Sequence, residues 1–168
     1  LNAKIIDDLK VELEIGTPLL SYEKIPLSKA INPANITIEI NNKKFTSGFC
    51  VNVGNPHVIF FVKNCFEYDL KTLGPKIENH KLFPEKTNVT FAQIMDENNI
   101  KVNVWERGAG LTKACGTAAC ATAVAANLEK LENSSTEIEF SLGKLIINID
   151  QDKKIHMRGP VSEIKEIK

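Results

Sequence analysis

The chain has 168 residues, 43% hydrophobic and 25% charged, the profile of one soluble domain with a core of its own. Its 21 acidic and 21 basic residues balance, and no Lys/Arg cluster is interleaved with aromatics, so nucleic acid and membrane surfaces are not expected partners. Four cysteines without a CxxC pair, no signal-peptide pattern and no apolar stretch long enough for a bilayer point to free thiols in a cytoplasmic setting.

In chain order, alternation predicts strands first. Val11, Leu13 and Ile15 share one face of Lys10–Ile15, and Ile36, Ile38 and Ile40 repeat the pattern before an Asn41-Asn42 turn towards Phe45. Val58–Val62 is a continuous apolar run, as in a strand covered on both sides. A short helix is expected near Asp69–Leu73, stopped by Gly74-Pro75. Val89–Ile94 and Ile100–Trp105 read as a hairpin around Asp96–Asn99, with Trp105 and the phenylalanines at core positions. Ile138–Phe140, Leu145–Ile149 and Ile155–Met157 close the chain as strands, with turns at Gly143 and Gln151–Lys154.

The exception is Cys115–Leu131, where alanine dominates and Cys115–Asn127 carries no charge. A helix that is apolar all round is buried all round, and one built of small residues is approached closely by its neighbours. The whole reads as an α+β fold, mostly antiparallel β-structure wrapped around a central buried helix, not a Rossmann-like alternation.

Chemistry is expected in Glu106–Ala121, where a strand end leads through a glycine-relaxed loop into that helix. First-turn amides lack intrahelical partners and the helix dipole adds positive potential, so the segment Cys115-Gly116-Thr117 is suited to a carboxylate. Gly116 has no Cβ to hold a ligand away. The same field favours thiolate and is expected to lower the Cys115 pKa from about 8.5 towards neutrality. From these residues alone, Cys115 reads first as a small core residue at a helix start. Cys50, Cys65 and Cys120 read as structural, and Cys120 points to another helix face than Cys115. Cys115, Cys120 and His57 lack metal-ligand spacing, so no metal is expected.

Several segments together resemble one family. Glu106-Arg107-Gly108, Ala114-Cys115-Gly116-Thr117 and Cys120-Ala121 resemble the second signature of the diaminopimelate epimerases. Gly54-Asn55-Pro56-His57, Thr87-Asn88-Val89 and Met157-Arg158-Gly159-Pro160 are similar to three further elements of that family, and Ile15-Gly16-Thr17-Pro18 is a weaker match. The matches occur in family order and span nearly the whole chain.

The resemblance implies a pyridoxal-independent, two-base epimerisation of L,L-diaminopimelate to the meso form, feeding lysine and peptidoglycan synthesis with no cofactor. It implies two pseudo-symmetric domains, each a β-structure around a central helix, with the active site between them. Carried over by position, Cys115 is one of two acid/base thiols, and the Gly116 and Thr117 amides hold the α-carboxylate of the amino-acid substrate. Glu106 bonds the α-ammonium and orients Cys115; Arg107 grips the distal end; Asn55 and Asn88 read distal groups; His57 tunes the partner cysteine. Without the resemblance, Glu106 reads as a solvated strand-end charge, Arg107 as half of a surface ion pair, Asn55 as a turn residue before Pro56, and His57 as a satisfied core histidine.

The family's first signature, a Cys-Gly-Asn-Gly motif with the other catalytic cysteine, is absent. Residues 1–15 are therefore expected to be the tail of a missing N-terminal domain, 16–160 the C-terminal epimerase domain, and 161–168 a strand returning to the first. That missing domain is the expected protein partner, a homodimer is left open, and the chain by itself is expected to be inactive. A related proline or hydroxyproline racemase and a non-catalytic binding domain of the same fold are the alternatives; the Glu106-Arg107 pair and the two asparagines favour diaminopimelate.

Overall fold

The hairpin of β3 (Ile36–Ile40) and β4 (Lys43–Asn52) turns sequence alternation directly into structure. Ile36, Ile38 and Ile40 are buried while Thr37 and Glu39 are exposed. Asn41 and Asn42 sit at φ 52° and 62°, a left-handed pair that asparagine tolerates and a tight hairpin requires. In the computed structural model of the chain, which describes residues 2–7, 9–129 and 134–161, this hairpin forms one end of a long sheet.

The next strand, β5 (Pro56–Phe61), is buried over its first five residues. Val58 and Phe60 pack into one apolar cluster, Ile59 and Phe61 into another. A strand covered on both faces needs apolar residues at every position, which is why this segment does not alternate. The same division runs through the neighbouring strands. Cys50 belongs with Val58 and Phe60, whereas Phe49 and Val51 belong with Ile59.

The remaining strands are β1 (Asn2–Asp7), β2 (Lys10–Gly16), β6 (Asn88–Asp96), β7 (Asn99–Glu106), β8 (Gly110–Thr112), β9 (Ser135–Phe140), β10 (Gly143–Ile149) and β11 (Ile155–Pro160). Among the described residues they form one sheet in the order β1-β2-β11-β10-β9-β7-β6-β5-β4-β3, with β8 beside β7. Pairing is antiparallel except between β5 and β6 and between β7 and β9. Helix α1 (Leu70–Glu78) lies with the cluster that holds Val58, Phe60, Phe91 and Ile77. Helix α2 (Gly116–Leu128) lies with the other, and every residue from Ala118 to Ala126 is buried. It packs against β4, β5, β6, β9, β10 and β11. The chain is thus α+β, with two helices and a mostly antiparallel sheet among its described residues. None of its described helices is long and apolar enough to cross a membrane.

Four expectations need correction. The first helix does not stop at Gly74-Pro75 but continues through Pro75 to Glu78. Its buried face, Leu70, Gly74, Ile77 and Glu78, recurs at helical spacing, and packing along that stripe outweighs the lost Pro75 N–H. The loop before Cys115 contains β8, which pairs with Val104–Glu106. Three residues containing a glycine give no periodicity to read. Phe66 is half exposed and does not join the core. Finally, Cys115 precedes α2 as its N-cap and is not in its first turn. Residues 130–131 of the expected second helix and 162–168 of the expected terminal strand lie outside the described residues; Val161 N–H donates to the Leu9 carbonyl at 2.9 Å.

Candidate active site

The parallel register of β5 and β6 sets His57 beside Asn88, and the antiparallel register of β6 and β7 sets Val89 beside Trp105. The starts of β5 and β6 and the end of β7 therefore share one end of the sheet. Asn55 and His57, Asn88, and Glu106 with Arg107 converge there from positions far apart in sequence. β8 then turns the chain back along β7 and delivers Cys115 to the start of α2.

Cys115 has extended backbone at φ −153° and ψ 110°, and its side chain makes no capping bond. Its Sγ lies 3.5 Å from Thr117 Oγ1. Thr117 Oγ1 in turn accepts from Asn55 Nδ2 at 3.4 Å, and Asn55 Oδ1 lies 2.8 Å from His57 Nε2. Thiol, hydroxyl, amide and imidazole thus form a continuous chain behind the sulfur. The asparagine oxygen can only accept, so Nε2 carries the proton of a neutral ring and Nδ1 is bare. His57 is completely buried and its Nδ1 has no hydrogen-bond partner among the described residues. Burial, helped by the Arg107 charge, pushes the His57 pKa down to about 3, so the ring stays neutral through the physiological range.

The expected lowering of the Cys115 pKa is not what the site produces. Burial pushes the thiol up, the Thr117 hydroxyl and the Ala118 N–H pull it down, and the nearby Glu106 carboxylate raises it again by hydrogen bonding and by charge. Desolvation outweighs the helix terminus because Cys115 is only 8% exposed. At neutral pH the group is a thiol.

The other predicted residues are placed as follows. Asn88 is buried and its amide is a cross-tie, donating from Nδ2 to the Pro56 carbonyl at 2.8 Å and accepting the Arg107 N–H at 2.9 Å. It links the start of β5 to the turn after β7. Arg107 is exposed, and its Nη1 donates to the Glu85 carbonyl at 2.9 Å. At Gly116 the space of a Cβ is approached by Met157, whose Sδ would lie 3.0 Å away. That contact brings the Met157-Arg158-Gly159-Pro160 segment of β11 to the start of α2. Cys50, Cys65 and Cys120 are buried, and burial pushes Cys120 up to about 12. Among the described residues no three His, Cys, Asp or Glu side chains cluster as metal ligands.

One participant escaped sequence reading. Glu78, at the end of α1 and 4% exposed, accepts Trp105 Nε1–H at 2.7 Å through one oxygen and the Gly108 N–H at 3.1 Å through the other. Its available signal was position, since Leu70, Gly74 and Glu78 fall on one helix face.

A buried thiol thus stands at a helix start on an α+β scaffold, with a carboxylate beside it and a hydroxyl–amide–imidazole chain behind it. The protein-family model of diaminopimelate epimerase matches residues 49–164, and the chain belongs to that family. The chain is 58% identical to diaminopimelate epimerase of Pelagibacter ubique over 170 residues, covering 99% of this chain and 62% of that protein. It is 42% identical to the same-named protein of Phocaeicola vulgatus over 157 residues, covering 93% and 56%. With that of Methanococcus maripaludis it shares 40% identity over 167 residues, covering 98% and 59%. The chain thus spans between 56% and 62% of the length of these relatives. A solved structure described as a predicted epimerase of Pseudomonas aeruginosa matches with a TM-score of 0.55 at 13% identity, over 98% of this chain and 61% of that one. At that identity the likeness is one of fold.

Proposed function

We propose that this chain supplies one half of a pyridoxal-independent active site that interconverts L,L- and meso-diaminopimelate, with Cys115 as one of two acid/base thiols. The observation that carries this reading is the placement of Cys115 Sγ at the uncapped start of a 13-residue helix that is buried from Ala118 to Ala126, next to the Glu106 carboxylate. α2 serves as the central helix of this half, and the first-turn amides of Gly116 and Thr117 receive the substrate α-carboxylate. The second thiol belongs to a partner domain outside these residues. In this reading residues 16–160 form the present half.

The raised thiol pKa fits such a cycle. Burial, with a smaller part from Glu106, holds Cys115 protonated while the site is empty, and a substrate α-ammonium paired with Glu106 offsets the negative charge that adds to that effect. The Cys115 thiol loses its proton to solvent as the substrate binds, and the thiolate then takes the α-proton, forming S–H while the C–H electron pair remains on Cα next to the carboxylate. The helix amides stabilise the charge that develops there. The opposite thiol gives its proton to the other face of Cα, and the electron pair of the broken S–H bond leaves that sulfur as thiolate. Each turnover exchanges which sulfur holds the proton, and no redox partner is needed. Thr117, Asn55 and His57 fix the rotamer of the thiol from behind, Asn88 fixes the turn that carries Arg107, and Arg107 meets the distal end of the substrate. The wider setting is cytoplasmic lysine and peptidoglycan precursor synthesis.

The test is α-proton exchange of L,L-diaminopimelate in D2O, with the complete gene product that carries these residues. Cys115→Ala should reduce exchange by roughly three orders of magnitude or more, as expected when an acid/base partner is removed. Equal exchange by the variant would remove Cys115 from the mechanism, and no exchange by the reduced wild-type protein would defeat the substrate assignment.

A further inference from the structure

The turn that closes β7 onto β8 runs Glu106-Arg107-Gly108-Ala109-Gly110; Glu106 pairs with Gly110, and the Ala109 N–H donates to the Glu106 carbonyl at 3.1 Å. Gly108 and Gly110 both adopt positive φ, at 76° and 94°. Arg107 is exposed and its backbone N–H is tied to Asn88. Beyond these bonds within the hairpin, the turn is tied to α1. Glu78 receives the Gly108 N–H through Oε1 and the Trp105 indole N–H through Oε2, so one buried side chain grips the residues on both sides of the Glu106-Arg107 pair.

The helix is shaped for this grip. Gly74 lies one turn before Glu78, and a Cβ there would stand 2.3 Å from Trp105 Cδ2. Its absence lets the indole lie flat against α1, with Nε1 presented to Glu78. An acidic side chain almost fully removed from water is costly unless its oxygens are bonded, and both are. Nothing in the apolar packing of α1, which Leu70 and Ile77 supply, needs an acid at this position.

We propose that Glu78 is a positioning residue: its two bonds to Trp105 and Gly108 hold the Glu106-Arg107 turn in the geometry that meets substrate. The inference rests on the diaminopimelate reading for its kinetic consequence, but not for its structural one. Because the grip flanks Arg107 most closely, its loss should be felt first in substrate binding. Glu78 touches no reacting atom and takes no part in proton transfer.

Two measurements on the complete gene product separate the claims. The first, hydrogen exchange without substrate, follows the amides of residues 106–110 in Glu78→Ala, Glu78→Gln and Trp105→Phe. Loss of both bonds in Glu78→Ala should speed exchange in this turn by roughly tenfold, and Glu78→Gln, which keeps one acceptor, should fall between. The second is turnover: KM for diaminopimelate should rise by about fivefold to tenfold in Glu78→Ala, with kcat changing less, and Glu78→Gln should recover part of it. A lower melting temperature with unchanged exchange in the turn and unchanged KM would reduce Glu78 to a structural acid and overturn the proposal. Should Glu78→Ala fail to fold, unchanged exchange in both Glu78→Gln and Trp105→Phe would overturn it equally. If the wild type turns out not to act on diaminopimelate, the substrate reading fails, and the exchange map alone decides whether the grip exists.

Discussion

At the start of α1 the Asp69 carboxylate accepts the Lys71 N–H at 3.1 Å and the Thr72 hydroxyl at 2.6 Å, whereas Cys115, in the same position before α2, makes no side-chain cap. α1 is amphipathic, one face buried and the other in water; α2 is buried on every side from Ala118 to Ala126. A helix whose cap side chain takes up a first-turn donor has one amide fewer to offer. One that leaves its first turn open carries unsatisfied donors and a positive field to whatever is brought there. The stability of α2 has to come from the sheet instead, because its start contributes no cap. The two helices divide the work: α2 presents the chemistry, and α1, through Glu78 and Gly74, holds the turn that faces it.

The sharpest way to break this contrast is to add volume to each helix. Ala121→Leu puts three extra carbons into a fully buried, close-packed position, and should destabilise the protein by about 3 kcal/mol, the upper end for overpacking. Chemical denaturation of the complete gene product measures it. A loss well under 1 kcal/mol would mean that α2 is not held as tightly as its burial indicates.

Gly74→Ala comes next. In a solvent-facing helix this change ordinarily stabilises by about 0.5–1 kcal/mol. Here the new methyl would stand 2.3 Å from Trp105, so the sign should reverse, with a loss of about 1–2 kcal/mol. A gain in melting temperature would show that the indole moves away freely and that the contact between α1 and β7 is loose.

How far the sequence foretold this arrangement depended on the range of the signal. The Ile36–Ile38–Ile40 alternation, the Asn41-Asn42 turn and the unbroken run in β5 were legible because each follows from burial of one or both faces of a local segment. Pro75 misled because packing of a stripe nine residues long overrode a local breaker. β8 was too short to carry any period. For the site, Cys115 could be singled out from its helix start, but its link to His57 through Thr117 and Asn55 joins residues 62 apart, which no local pattern encodes. Ordered motif resemblance put those residues on one page; the registers of β5, β6 and β7 account physically for their meeting. Glu78 was illegible because an acid near a helix end usually faces water, and only the position of Trp105 in space turns it inward. The thiol pKa was misjudged since the helix field can be read from sequence, while desolvation and the approach of Glu106 belong to the folded chain.

The smallest effect tests that last point. Burial and Glu106 raise the Cys115 pKa while Thr117 and Ala118 lower it, so alkylation of Cys115 should be slow at neutral pH. Below the raised pKa the thiolate fraction, and with it the rate, climbs about tenfold per pH unit before levelling off. Glu106→Gln removes the charge that disfavours thiolate, so its rate profile should shift to lower pH. The variant should react faster than wild type at any pH below the wild-type plateau, by a factor that shrinks towards unity as both become fully ionised. Peptide-resolved mass spectrometry after iodoacetamide pulses separates Cys115 from Cys50, Cys65 and Cys120, all of which burial also holds as thiols. A profile that moved to higher pH would mean that Glu106 assists ionisation of Cys115 in the empty site, and the carboxylate would then have to act as a base towards the thiol before substrate arrives. That result would reverse the order of events proposed above, in which the substrate ammonium neutralises Glu106 first and the thiolate forms second.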